Sequence, residues 1–187
     1  MNYQIPLITE AHKDPFGLAM WSYMRGNLKA KVKVYSDIAV DDNIPVSYLF
    51  RTYSQMPKWE QKAIDHCYGY ILDIGAGAGS HSLELQNRGE EVKAIDISYG
   101  AVEMMKERGL KQASHISFWD LAEESFDTLL LMMNGIGLVG NLKGLNAFLE
   151  KAKTHLNAGA QIILDSSDIN YLYEELEMRP PKDTYYG

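Results

Sequence analysis

The sequence predicts an α/β protein, a doubly wound and mostly parallel sheet with helices on both faces and an N-terminal cap segment ahead of it. Three observations predict this. Tyr70-Ile71-Leu72-Asp73 is a short apolar strand that runs straight into a loop with glycine at every second position, Gly75, Gly77 and Gly79. Beyond the loop, apolar runs of strand length alternate with amphipathic stretches of helix length. The connections are short, which implies right-handed crossovers and one sheet.

The front of the chain, residues 1–63, does not follow that rhythm and reads as a mostly helical cap or lid with one edge strand. Asp14-Pro15 with Gly17 starts a helix whose apolar face is Leu18, Met20, Trp21 and Met24, and Gly26-Asn27 ends it. Ala30 to Val34 alternates apolar and charged residues, as a half-exposed strand does. Asp41-Asp42-Asn43 reads as a turn before Pro45. Val46 to Tyr53 is aromatic-rich and suits a helix. Pro57 suits the first position of another helix that reaches Cys67 with Ile64 inward.

Residues 64–187 form the core. Ser80 to Arg88 is a helix closed by Gly89, and Val92 to Ile97 is the second strand. Ser98 caps the next helix, with Ala101, Val102 and Met105 as its buried stripe and Gly109-Leu110 as its stop. Ser114 to Phe118 is the third strand. Phe126 to Met133, apolar almost throughout, is the fourth, as expected where both faces are covered. Asn141 caps a helix whose apolar positions run from Leu142 to Leu156, with Asn157 and Gly159 ending it. Gln161 to Leu164 is the fifth strand, and Asp165 to Asp168 opens a last helical segment that Pro180-Pro181 stops.

Bulk properties narrow the function. The chain has 187 residues, 46% of them hydrophobic, which suits one packed domain with an appendage. Its formal charge of −7, without a Lys/Arg block, argues against a nucleic-acid partner. One cysteine, Cys67, allows neither an intrachain disulfide nor a cysteine metal site, so a reducing cytoplasm is the expected location. The longest strongly apolar run, Leu129 to Met133, is too short to span a bilayer, and no membrane partner is expected.

The chemistry concentrates at the glycine loop. Three alternating glycines exceed what a tight turn needs and let backbone N–H groups approach a ligand. The second strand ends at Asp96, where a carboxylate can take both hydroxyls of a ribose. A dinucleotide loop wants glycine at the sixth position from Gly75, and Ser80 stands there. Asp73, just before the loop, is poorly placed for a pyrophosphate and well placed for a cationic ligand.

Asp73-x-Gly75-x-Gly77-x-Gly79 with Asp96 on the next strand resembles the class I S-adenosylmethionine-dependent methyltransferases, which have a Rossmann-like fold. The resemblance implies S-adenosylmethionine as cofactor. It implies that Gly75, Ala76 and Gly77 lie against its methionine part, and that Asp73 orients the loop or the amino group. Asp96 would hold the ribose and Ile97 pack on the adenine. Ser117 and Asp120 are alternative contacts to the adenine amine. Asn134 falls where the family touches the methionine amino group and the transferring methyl. Gly135-Ile136-Gly137 follows it, without the Pro-Pro-aromatic run of amino methylation on nucleobases or glutamine. The acceptor expected is a small molecule.

Other residues read more plainly. His81 is a surface or helix-start histidine or a substrate contact; Cys67 is a small core residue. Asp165 or Asp168 caps a helix. Arg51, among Tyr48, Phe50 and Tyr53, is a stacked surface arginine or part of a lid. Two rival functions stay open, a non-catalytic cofactor-binding module and a nicotinamide oxidoreductase on the same fold. The family's C-terminal hairpin looks absent or truncated. Either Thr184-Tyr185-Tyr186 begins a strand, or the strand at Val32 to Val34 fills the sheet edge. An unpaired edge would favour a homodimer.

Overall fold

The computed structural model describes residues 7–35 and 41–167. In the front part, α1 spans Pro15–Met24, β1 Lys31–Val34, β2 Asp42–Pro45 and α2 Lys58–His66. The core then runs β3 Tyr70–Ile74, α3 Ser80–Asn87, β4 Glu91–Asp96, α4 Tyr99–Glu107, β5 Ala113–His115, β6 Phe126–Leu131, α5 Leu142–Lys153 and β7 Leu156–Leu164.

The five core strands are parallel, in the order β5-β4-β3-β6-β7. The period of two along each strand sorts their side chains. Ile71, Val92 and Leu130 pack against Ala63 and Ile64 of α2 and Leu85 of α3. Their neighbours Leu72, Ile95 and Leu129 face the other way, onto Phe148 and Ala152 of α5. Both faces are therefore covered, and Leu129, Leu130 and Leu131 are all fully buried. Each such side chain contributes roughly 1.5–3 kcal/mol of transfer free energy.

The helix ends follow the local chemistry. Asp14, Ser98 and Asn141 each accept the backbone N–H three residues on, capping α1, α4 and α5. Gly109 takes φ +92° after α4, and the Leu110 N–H reaches back to the Met105 carbonyl.

Several expectations are corrected. The segment read as a turn at Asp41–Asn43 enters β2, which pairs antiparallel with β1 from Val34↔Asp42 to Lys31↔Pro45. The front strand thus makes its own two-stranded sheet and does not fill the edge of the main one. Val46–Phe50 and Tyr53–Gln55 are two short 3-10 helices, not one helix, because the Thr52–Gln55 capping box closes a new turn. Ser114 to Phe118 shortens to β5, and Phe118–Asp120 turns into a 3-10 helix after it. Helix α5 stops at Lys153, and Leu156 already pairs with Phe126. Between that pair and Thr128↔Gln161 the ladder shifts register, and Gly159, at φ +82°, sits within the shift. The expected last helix, the two prolines and Thr184–Tyr186 lie outside the described residues.

The front part packs on the carboxyl end of the sheet. Met20, Val32 and Val46 form one buried cluster with Ala78, Ala101 and Met104. Ile8 adds a parallel bridge beside Ser98. No helix among the described residues is long and apolar enough to cross a membrane.

Candidate cofactor site

Strand β3 delivers its chain end to the glycine loop, and the loop's geometry explains its sequence. Gly75, Gly77 and Gly79 take φ of +74°, +56° and +77°, a region L side chains enter at a cost. A Cβ on Gly79 would lie 2.8 Å from Met105 Cγ, so this glycine also serves packing. A Cβ on Gly75 or Gly77 would meet no protein atom within 4 Å. The space over those two is open, and it belongs to a cavity of about 540 Å³ between the loop and the front part.

Asp96, at the end of β4, fastens the loop from the adjacent strand. Its Oδ2 accepts the Gly77 N–H at 2.9 Å and its Oδ1 the Ser98 N–H at 2.8 Å. The Gly75 and Ala76 N–H groups both reach the Ile95 carbonyl. Asp73 is 2% exposed and accepts the Ser82 hydroxyl at 2.6 Å. Burial pushes both carboxyls above their ordinary range; His81 and Ser82 oppose it at Asp73, and the Ser98 and Gly77 N–H groups at Asp96. A cationic ligand would favour their ionised forms.

Asp73, Gly75, Ala76, Gly77, Asp96 and Ile97 all line this cavity. A smaller one of about 130 Å³ shares Gly75, Asp96 and Ile97 with it and is closed by Ser117, Phe118 and Trp119. Ser117 is buried, and its Oγ accepts the Trp119 N–H. Asp120 is exposed and lines neither cavity. Asn134 is also exposed, in the left-handed region at φ 62°. Its N–H goes to Asp165 Oδ1 at 2.7 Å and its Oδ1 accepts the Ser167 hydroxyl, while its neighbours Met133 and Gly135 line the larger cavity. Asp165 also takes the Met133 N–H, so it secures the loop after β6.

Two acidic groups on the cavity wall, Asp14 and Glu60, carry no site role in the sequence reading. Asp14 caps α1 and also accepts the Ser98 hydroxyl at 2.6 Å, which ties α1 to α4 beside Asp96. Glu60 of α2 is 4% exposed; its Oε1 accepts from Arg51 at 2.6 Å and its Oε2 faces His81 Nε2 at 3.2 Å. Burial works to raise the Glu60 carboxyl, but His81 and Arg51 outweigh it and hold it below its ordinary value. His81 is therefore a buried wall residue, not a surface one. The signal for Glu60 was its place on the inward stripe with Ala63, Ile64 and Cys67; the signal for Asp14 reached only as far as its own helix. Cys67 is the core residue expected, its thiol pushed up to about 12 by burial.

The arrangement fits an adenosine with a cationic sulfur. Open glycines, a carboxylate at the strand end and an adjoining small apolar cavity suit the loop-facing, ribose and base parts. Comparison with known proteins decides the family. Residues 71–159 match the family described as methyltransferase domain. A S-adenosylmethionine-dependent methyltransferase from Bacteroides fragilis, solved with S-adenosyl-L-homocysteine, is 42% identical, with a TM-score of 0.83 over 89% of this chain and 69% of its own.

The chain belongs to the S-adenosylmethionine-dependent methyltransferases.

As a member of that family it uses S-adenosylmethionine as cofactor. The cypemycin N-terminal methyltransferase of a Streptomyces species is 27% identical over 139 residues, 72% of this chain. A probable non-canonical nonribosomal peptide synthetase of Salinispora arenicola is 34% identical over 91 residues, 41% of this chain. The chain spans 57% of the first of these and 1% of the second.

Proposed function

We propose that this methyltransferase transfers the methyl group of S-adenosylmethionine to a small-molecule acceptor, held between the glycine loop and the front part. The observation that carries the reading is the pair of loop glycines whose missing Cβ atoms leave open space beside Asp73 and Asp96. In this reading Gly75, Ala76 and Gly77 back the methionine part and Asp73 attracts its ammonium. Asp96 takes the ribose hydroxyls, Ile97 lies on the adenine, and Ser117 with the neighbouring backbone meets its amine. Asn134 and Asp120 lie off the cavity walls, so Met133 and Gly135 replace Asn134 beside the transferring methyl. The bound cofactor supplies an activated methyl; the chain supplies alignment and exclusion of water. The name of the cypemycin relative supports a nitrogen acceptor.

The single cysteine supports a cytoplasmic location, the acidic net charge an enzyme without a nucleic-acid partner, and the shortness of its apolar runs one without a membrane partner. Among the described residues the outer edge of β7 is unpaired, which supports a homodimer through that edge; sedimentation showing a monomer at all concentrations removes it.

A thermal-shift series tests the cofactor assignment. S-adenosylhomocysteine at a hundred times its Kd is expected to stabilise the fold by about 2.7 kcal/mol. That is a rise in melting temperature of roughly 5–10 °C for a chain of this size. NAD is expected to give none, and a rise with NAD but not with S-adenosylhomocysteine would overturn the cofactor assignment.

A further inference from the structure

We propose that His81, oriented by Glu60, is the base that takes a proton from an amine acceptor; the inference rests on the methyl-transfer reading and deepens it. His81 stands at the start of α3, directly after the glycine loop, and lines the large cavity. Its only hydrogen bond among the described residues joins Nε2 to Glu60 Oε2. Glu60 is the ionised partner in that contact: His81, and Arg51 on its other oxygen, together hold its carboxyl below the ordinary range. An ionised carboxylate only accepts, so Nε2 carries the hydrogen, and in the neutral ring the lone pair is on Nδ1. A carboxylate that fixes the tautomer of a histidine and steadies its imidazolium is the arrangement general-base catalysis requires.

The surrounding walls choose the acceptor. Asp14, Glu60, Asp73 and Asp96 all line the cavity, against Lys13 and Arg51; with Glu60 paired to Arg51 and Asp73 and Asp96 given to the cofactor, Asp14 is the carboxylate left to an acceptor. Tyr48 and Met133 also line the cavity, and both touch Arg51, whose guanidinium lies over the Tyr48 ring. The Asp14 carboxylate favours a cationic acceptor such as an alkylammonium group. An ammonium has no lone pair and must lose a proton before it can attack. The proton passes from the ammonium to His81 Nδ1. The freed pair on nitrogen forms the new bond to the methyl carbon, and the electrons of the carbon–sulfur bond stay on sulfur. The product leaves as the N-methylammonium ion, and His81 returns its proton to water.

The test combines binding, spectroscopy and turnover. The ¹⁵N spectrum of histidine-labelled protein, with His81→Gln for assignment, is expected to show neutral His81 protonated on Nε2; Nδ1 protonation overturns the proposal. Calorimetry is expected to give His81→Gln an S-adenosylhomocysteine affinity within about threefold of wild type. A larger loss makes His81 a cofactor or structural residue and overturns the proposal too. Turnover is read as S-adenosylhomocysteine release with panels of alkylamines, phenols and thiols. Alkylamines are expected to serve, with kcat about a hundredfold lower in His81→Gln. Glu60→Gln is expected to lower kcat with little change in KM and to mix the two tautomers, and Glu60→Asp to restore part of both. Equal turnover by wild type and His81→Gln, or turnover of phenols or thiols alone, overturns the base and its amine. Wild type that binds S-adenosylhomocysteine but releases none from any panel overturns methyl transfer itself.

Discussion

At the scale of the residue, two positions separate ligand binding from stability. Gly77→Ala places a methyl where no protein atom stands within 4 Å. The left-handed backbone there costs an L residue about 1–2 kcal/mol. The expected result is a modest loss in urea-measured stability with at least a tenfold loss of S-adenosylhomocysteine affinity by calorimetry. An unchanged affinity would show that the loop does not face the ligand. Asp73 gives a pH test. Its folded carboxyl sits above the ordinary range, so its contribution to stability is present below the unfolded value and is lost as pH rises through the folded one. Asp73→Asn removes that titration. The stability of the variant relative to wild type is therefore expected to rise as pH climbs past the unfolded carboxyl's value of about 4, and a difference that stays flat would mean the carboxyl is not raised. Asp73, Gly75, Gly77 and Asp96 were legible because a strand end and its following loop are contiguous in sequence. Glu60 and His81 were not, because 21 residues and a strand separate the two partners of one contact.

At the scale of the element, caps and stops were the readable features, since each is decided within four or five residues. Ser98 shows where that locality ends. It caps α4 through the Ala101 N–H, as expected, and it also donates to Asp14 across 84 residues. Ser98→Ala is expected to cost about 1–2 kcal/mol in chemical denaturation, at the upper end for a cap, because a buried carboxylate loses a donor as well. A cost of a few tenths would mean that water replaces the hydroxyl. The misread elements share a cause. Asp42–Pro45 carries turn residues and becomes strand because β1 lies alongside to pair with it. Leu156, an apolar position of the expected helix, opens β7 because Phe126 of β6 pairs with it. In both cases a pairing strand outside the segment overrides local preference.

At the scale of the whole molecule, the front part and the core share one apolar interior. Met20 of α1 is fully buried against Ala78 and Met104, and Gly17 meets Gly100 so closely that a Cβ on Gly100 would lie 2.8 Å from Gly17 Cα. Met20→Ala is expected to cost about 2–5 kcal/mol. Unfolding followed by fluorescence and by circular dichroism should keep one common midpoint in both proteins. Two separated midpoints would mean that residues 1–63 fold as a unit of their own.

The order of strands and helices, the glycine loop that lines the cavity and the carboxylates at the two strand ends follow from the sequence alone, because periodicity, glycine placement and capping act over a few residues. Tertiary structure decided what stands opposite that loop. The front sheet, the Asp14 tie and the Arg51–Glu60–His81 wall depend on which distant surfaces fit together, and packing, unlike propensity, has no local signature.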